Sequence, residues 1–357
     1  MSSPMQPRKH LLTVLVEDYF HVGAFENLIQ QRNWQNFEPR YEQNTLKTLD
    51  LLDRYDTKAT FFVLGWIAEH NPALVREIAA RGHEVASRGY YHRSPRNLTP
   101  NEFREDLRRT NQVIEDACGQ KVIGYRAAEK LAFDKSGWVL DTLASEGFVY
   151  DASFLPTSKT EKAKRFAHEI DTGDGSIWEF PYSAADLGVG MLPISGGNYL
   201  RQLPYTLMRK AVRNWHKNQD DPFIFYFHVW ELDPEQPRIS AASRLNRIRH
   251  YRKLDKMEWI VAENLALYDC SGVADYLGVT DDIRSAMAPA ASLAPAVEAE
   301  VRAPQELRPV SIVIPCYNEQ ESLPYLAKTL ASVEGRLNNI GFRSELIFVD
   351  DNSQDET

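Results

Sequence analysis

Leu11-Leu12-Thr13-Val14-Leu15-Val16-Glu17-Asp18 is a strand-length apolar run that ends in two acids. It lacks the polar alternation of a half-exposed strand, so it reads as a strand covered on both faces in a parallel sheet or barrel. The same kind of run recurs along the chain, at Ala59–Val63, Glu84–Ser87, Val122–Tyr125, Val149–Ala152, Ile177–Phe180 and Phe223–His228. Helix-period segments lie between several of them. Thr45–Tyr55 places Leu46, Leu49 and Leu52 on one face. Pro72–Arg81 opens on proline and is closed by Gly82. Pro100–Ala117 has Thr99 as its N-cap and Gly119 as its C-terminal stop, and Lys135–Glu146 stops at Gly147. Seven strands alternating with helices predict an α/β chain folded as an incomplete seven-stranded (β/α) barrel.

The composition sets bounds. The chain has 357 residues, 43% hydrophobic and 25% charged, with a formal net charge of −9. That length suggests two domains. An acidic balance argues against a nucleic-acid footprint. Cys118, Cys270 and Cys316 are far apart and form no CxxC pair, which reads as free thiols in a reducing compartment. Residues 1–10 lack a signal-like apolar core, and no run approaches the roughly 20 apolar residues of a spanning helix. The expected location is cytoplasmic, with any lipid-linked substrate met at a membrane surface.

Chemistry-bearing residues sit at the strand ends. Glu17 and Asp18 repel each other there and call for a metal, an arginine or a shared proton. Ser87-Arg88-Gly89-Tyr90-Tyr91-His92, Gly124-Tyr125-Arg126-Ala127-Ala128, Trp178-Glu179-Phe180-Pro181 and Phe227-His228-Val229-Trp230 follow in order. Side chains gathered at the strand ends of one barrel are the usual layout of a barrel active site. Asp151, after another apolar run, reads equally as a supporting acid or a turn cap.

This ordered series resembles the polysaccharide deacetylase family, NodB-like and of carbohydrate esterase type, over roughly residues 10–280. With Gly196-Gly197-Asn198-Tyr199 and Leu203-Pro204-Tyr205, the resemblance is to the deacetylases of exopolysaccharide gene clusters. It implies an N-deacetylase of an amino sugar in a polysaccharide or lipid-linked glycan. It also implies a divalent metal, zinc first, held by Asp18 and His92. Glu17 would be the general base, Arg126 its orienting partner and His228 the general acid. Trp178, Trp230 and Arg88 would contact substrate. Two positions depart from the family. Arg88 stands where a second metal-binding histidine belongs, and Ala128 replaces a proline. Arginine only donates hydrogen bonds and stays charged, so it cannot ligate a cation. Two readings stay open: Arg88 replaces the metal charge and leaves a binding-only site, or a metal persists on Asp18, His92 and water.

Residues 283–309 are rich in Ala and Pro without periodicity, which reads as a linker between a domain of residues 1–282 and a new start at 310–357. Val310–Pro315, a helix-like Glu319–Leu337 and Glu345–Asp351 form a βαβ pattern too short to bury a core alone. It resembles the opening of a family 2 glycosyltransferase, a truncated Rossmann-like (GT-A) start. The resemblance places Pro315, Asn318, Glu319, Asp350 and Asp351 at a nucleotide-sugar site. The expected partners are a carbohydrate or lipid-linked glycan and a membrane surface. The sequence sets no oligomeric state.

Overall fold

The computed structural model describes residues 9–25, 28–156, 165–173, 175–186, 191–279, 308–317 and 342–355, with Leu323, Leu326, Leu330, Glu334 and Leu337. The chain divides into two compact units, Met1–Trp34 with Pro39–Ala291, and Ser292–Thr357 with Gln35–Glu38.

The first unit is built on a curled sheet. Its strands are β1 (His10–Val16), β2 (Thr60–Val63), β3 (Glu84–Ser87), β4 (Gly124–Tyr125), β5 (Tyr150–Asp151), β6 (His168–Thr172) and β7 (Gly175–Glu179). They continue with β8 (Ala184–Asp186), β9 (Met191–Pro193), β10 (Ile224–His228) and β11 (Cys270–Ser271). The order β10-β1-β2-β3-β4-β5-β7-β6 is parallel except for β6, which lies antiparallel on the β7 edge. β11 adds to the start of β1, and β8 pairs with β9 in a separate two-stranded sheet. Among the described residues no ladder joins β6 to β10, so the barrel is incomplete. All seven expected strands are present. The antiparallel β6, the β8–β9 hairpin and β11 are additions, each short or polar enough to carry no apolar run.

The helices are α1 (Tyr41–Arg54), α2 (Gly65–His70), α3 (Pro72–Ala80), α4 (Pro100–Cys118), α5 (Phe133–Ser145), α6 (Gly197–Gln202), α7 (Tyr205–Asn218), α8 (Arg244–Tyr251), α9 (Met257–Leu267) and α10 (Val273–Tyr276). α4 opens on the Thr99 capping box with Glu102, and Gly119 closes it in the left-handed region.

Side-chain alternation along the strands separates two cores. Leu12, Val14 and Val16 of β1 face the helices with Phe61, Val63, Val85, Phe225 and Phe227. Leu11 and Leu15 face inward with Phe62, Ala86, Tyr150, Phe180, Tyr182 and Tyr226. The inward row decides what reaches the barrel mouth. Glu17 lies two residues past Leu15, Arg88 two past Ala86 and His228 two past Tyr226.

In the second unit β12 (Arg308–Cys316) and β13 (Phe342–Asp350) pair in parallel, with Arg308 opposite Phe342 and Cys316 opposite Asp350. Asp351 donates its N–H to the Cys316 carbonyl at 2.9 Å. Asp350 accepts the N–H of Ser353 at 3.2 Å, so its carboxylate caps the turn after β13. Pro315 lies opposite Val349. Asn318 and Glu319, most of the expected helix and most of the expected linker lie outside the described residues.

Candidate active site

Glu17 is the centre of the barrel mouth, and its side chain is 1% exposed. Its Oε2 accepts from Arg88 Nε at 3.0 Å and lies 3.0 Å from His92 Nε2. Its Oε1 is hydrogen-bonded to His228 Nδ1. Burial pushes this carboxyl up, but Arg88, His228 and His92 outweigh burial and hold it well below the usual carboxylate range. Glu17 is therefore an anion whose two oxygens are both engaged. That makes it a poor proton acceptor, contrary to the general-base role expected for it.

Arg88 is fixed from several sides. Its Nη1 donates to the Ala127 carbonyl at 2.7 Å, and its Nη2 lies 3.5 Å from the Ala128 carbonyl and 3.3 Å from His92 Nε2. The loop that supplies those carbonyls is itself tied down. Ala127 donates its N–H to Ser153 Oγ at 2.8 Å, and Ser153 Oγ donates to Asp151 at 2.6 Å. Hydrogen bonds thus stiffen the loop that Ala128 leaves without proline. Asp151 shares its buried corner with Glu179, and burial raises both carboxyls. His92 has φ of 54°, a left-handed conformation uncommon for a non-glycine residue, which stores local strain at the site.

Arg126 does not reach Glu17. Its Nη1 donates to Thr13 Oγ1 at 3.1 Å and its Nε to the Tyr182 hydroxyl at 3.3 Å. Its guanidinium lies over the rings of Tyr182 and Tyr226, at 4.3 and 4.4 Å. Arg88 holds the Glu17 carboxylate that Arg126 was expected to orient, and Arg126 fills the barrel interior instead. Trp178 is also away from the mouth. It stacks on Phe180 at 6.1 Å and packs against the inner core, so it walls no part of the cleft.

Asp18 follows the strand parity and turns away from the lumen. Its Oδ2 accepts the N–H groups of Arg40 at 2.6 Å and Tyr41 at 3.0 Å, and its Oδ1 accepts that of Tyr19 at 2.9 Å. It serves as a distant cap on the start of α1. Burial pushes its carboxyl up to about 7, against the pull of these three backbone donors. Asp18→Ala should lower stability by about 2 kcal/mol, because buried N–H groups lose their acceptor. Urea unfolding of both chains checks this, and an unchanged midpoint would contradict the capping role.

The donor set does not fit a divalent cation. Asp18 is committed to backbone N–H groups, and the Arg88 guanidinium contacts both Glu17 and His92. Among the described residues, no group of three His, Cys, Asp or Glu side chains could hold a metal. A charged guanidinium against the remaining carboxylate and imidazoles adds Coulomb repulsion to any cation placed there.

A cleft of about 330 Å³ opens onto Glu17, Arg88, His92 and His228, and is bounded by Trp230 and Arg249. Its far wall rests on residues without a motif in the sequence. Arg201 pairs with the fully buried Glu231 at 2.8 Å, and Glu231 accepts the His228 N–H at 2.9 Å. A Cβ at Gly197 would stand 1.9 Å from Glu231 Oε2, which accounts for glycine there. Trp230 stacks on His250 at 4.3 Å, and its indole N–H has no protein acceptor among the described residues. A second cavity of about 380 Å³ lies beyond His92, lined by Phe20, His21, Trp34 and Tyr91.

Residues 28–141 match the polysaccharide deacetylase family, and residues 152–268 match a domain of unknown function. The first of these stretches is therefore similar to a polysaccharide deacetylase domain. Residues 311–357 match glycosyl transferase family 2. A peptidoglycan-N-acetylglucosamine deacetylase of Bacillus cereus is 35% identical over 75 residues, 21% of this chain and 27% of that protein. A peptidoglycan deacetylase of Helicobacter pylori is 29% identical over 243 residues, 62% of this chain and 81% of that protein. The chain spans about a quarter to a third of the length of most of the curated relatives it matches. The fold is similar to the crystal structure of Puue allantoinase, with a TM-score of 0.50 and 13% identity, covering 75% of this chain and 88% of that one. The polar mouth of this first unit is organised around Arg88.

Proposed function

We propose that the cleft binds an N-acylated amino sugar of a polysaccharide or lipid-linked glycan and hydrolyses its amide without a divalent metal. The observation that carries this reading is the Glu17–His228 pair. A buried, ionised carboxylate bonded to Nδ1 fixes the imidazole tautomer and leaves Nε2 as the basic nitrogen. His228 Nε2 takes a proton from water as the water oxygen attacks the acyl carbon. The carbonyl oxygen gains negative charge beside Arg88 and His92, where fixed donors stabilise it most. His228 then protonates the departing nitrogen as the C–N bond breaks, giving a free amine and a carboxylic acid. Glu17 stays ionised and positions the imidazole, the role exchanged with the one expected from sequence. Trp230 offers an apolar wall to the sugar.

Amine release from an N-acetylglucosamine oligomer tests this. The expected result is release that survives chelator, with zinc well below one equivalent in the purified protein. Release abolished by chelator and restored by zinc would overturn the metal-free mechanism.

A second reading is a sugar-binding site without turnover. It is favoured by the engagement of the Arg88 donors with Glu17 and the Ala127 and Ala128 carbonyls, which draws them away from a developing oxyanion. Oligomer binding by calorimetry with no amine release would select it. Action on a glycan of exopolysaccharide type in the cytoplasm belongs to the same proposal. So does a nucleotide-sugar contact at Pro315, Asp350 and Asp351. Among the described residues, no helix is long and apolar enough to cross a membrane.

A further inference from the structure

We propose that α8 docks the cleft mouth onto an anionic lipid surface. The segment Arg238–Leu254 carries Arg238, Arg244, Arg247, Arg249, Arg252 and Lys253 without a single Asp or Glu, in a chain whose net charge is −9. Arg244, Arg247, Arg249 and Arg252 make no ion pair with any carboxylate among the described residues. Leu245 and Ile248 project from the same helix, 68% and 58% exposed. Their spacing of three residues puts them side by side on one face.

This exposed face is held rigidly. Ser243 Oγ accepts the Asn246 N–H at 3.2 Å and caps the start of α8. At its end, Arg201 Nη1 donates to the carbonyls of Arg249, His250 and Arg252, at 3.2, 2.7 and 3.0 Å. The inward side of α8 belongs to the cleft, through Asn246, Arg249 and His250. One short helix therefore lines the cleft and presents two uncovered aliphatic side chains among unneutralised arginines outward.

Charge complementarity selects the occupant. Clustered arginines attract an anionic bilayer, and a pair of aliphatic side chains gains from insertion at the headgroup boundary. A soluble polyanion would satisfy the arginines and leave Leu245 and Ile248 in water. Docking would bring a lipid-linked glycan to the cleft, a consequence that rests on the carbohydrate reading. The docking itself does not, because it is read without turnover.

The test is co-sedimentation of the full chain with vesicles of phosphatidylglycerol and phosphatidylcholine, against vesicles of phosphatidylcholine alone. Partition is expected only onto the anionic vesicles and should fall as salt is raised. Each arginine near such a surface contributes about fivefold, so Arg244→Gln with Arg247→Gln should weaken partition about 25-fold. Leu245→Glu with Ile248→Glu should abolish it. None of these four side chains lines the cleft, so binding of a soluble oligosaccharide should stay unchanged and reports the fold. Absence of partition onto anionic vesicles overturns the proposal. So does partition that both variants retain, or variants that lose oligosaccharide binding while keeping vesicle binding, which would make α8 a glycan wall.

Discussion

Arg88→Met should unfold about 3–5 kcal/mol more readily than the wild-type chain at pH 8, and adding Glu17→Leu should restore most of that loss. The basis is the ion pair between Arg88 and Glu17, whose side chains are 3% and 1% exposed. Neither charge has water to fall back on. Removing the guanidinium takes from this buried carboxylate the arginine charge that pairs with it. Removing both replaces two charges with apolar groups of similar length and leaves neither charge of the pair behind. Urea unfolding of the four chains completes a double-mutant cycle, and the coupling energy should exceed 2 kcal/mol. Additive single effects would show that solvent already screens the pair.

The same cycle has a pH signature. The folded Glu17 carboxyl is depressed, so its contribution is present above the ordinary glutamate value. It is lost as pH falls below about 4.5 toward the folded value. Wild-type stability should decline on acidification through that window, and the double variant should lack this part of the slope. In Arg88→Met alone, His92 and His228 still face the carboxylate. Asp18 works in the opposite sense. Its carboxyl is raised to about 7, so its protonated form favours folding below about pH 4, and that contribution fades as pH rises toward 7.

The barrel was legible because its strands are buried on both faces, so each announces itself as an apolar run. The motif positions at the strand ends were legible for the same reason. What the reading from sequence missed was parity. Glu17 and Asp18 are adjacent, and adjacent residues on a strand point to opposite sides. Counting from Leu15 gives Glu17 to the lumen and Asp18 to the loops, which rules against their acting as a base-and-ligand pair. The partner of Arg126 was assigned from the family pattern, but the Arg88 substitution changes which guanidinium is nearest. A long cation placed at the mouth takes the carboxylate, and the other arginine settles among Thr13, Tyr182 and Tyr226. The cleft wall of Arg201, Glu231 and His250 could not be read, because it joins α6, the end of β10 and α8 across some 50 residues. Only the paired glycines Gly196-Gly197 hinted at a close approach there, and the structure shows that approach to be onto Tyr226 and Glu231.

His228→Ala should lower amine release by about a thousandfold, as expected when the only proton-transfer group is removed. The loss should fall on kcat. Trp230 and Arg249 still bound the cleft, so KM should move little, while stability should fall because the buried Glu17 Oε1 loses its partner. Glu17→Gln separates positioning from proton transfer. An amide can still accept from His228 Nδ1–H, but it no longer matches the charge of Arg88, so kcat should fall less steeply than in His228→Ala. A family-type mechanism, with Glu17 as base and His228 as acid, predicts instead that the Glu17 substitution is at least as severe as the histidine substitution. If His228→Ala releases amine at the wild-type rate, the imidazole carries no proton in the reaction and the hydrolytic reading of this cleft fails. If wild type and variant bind the oligomer equally and neither releases amine, the buried Arg88–Glu17 pair has turned a hydrolase fold into a carbohydrate-binding one.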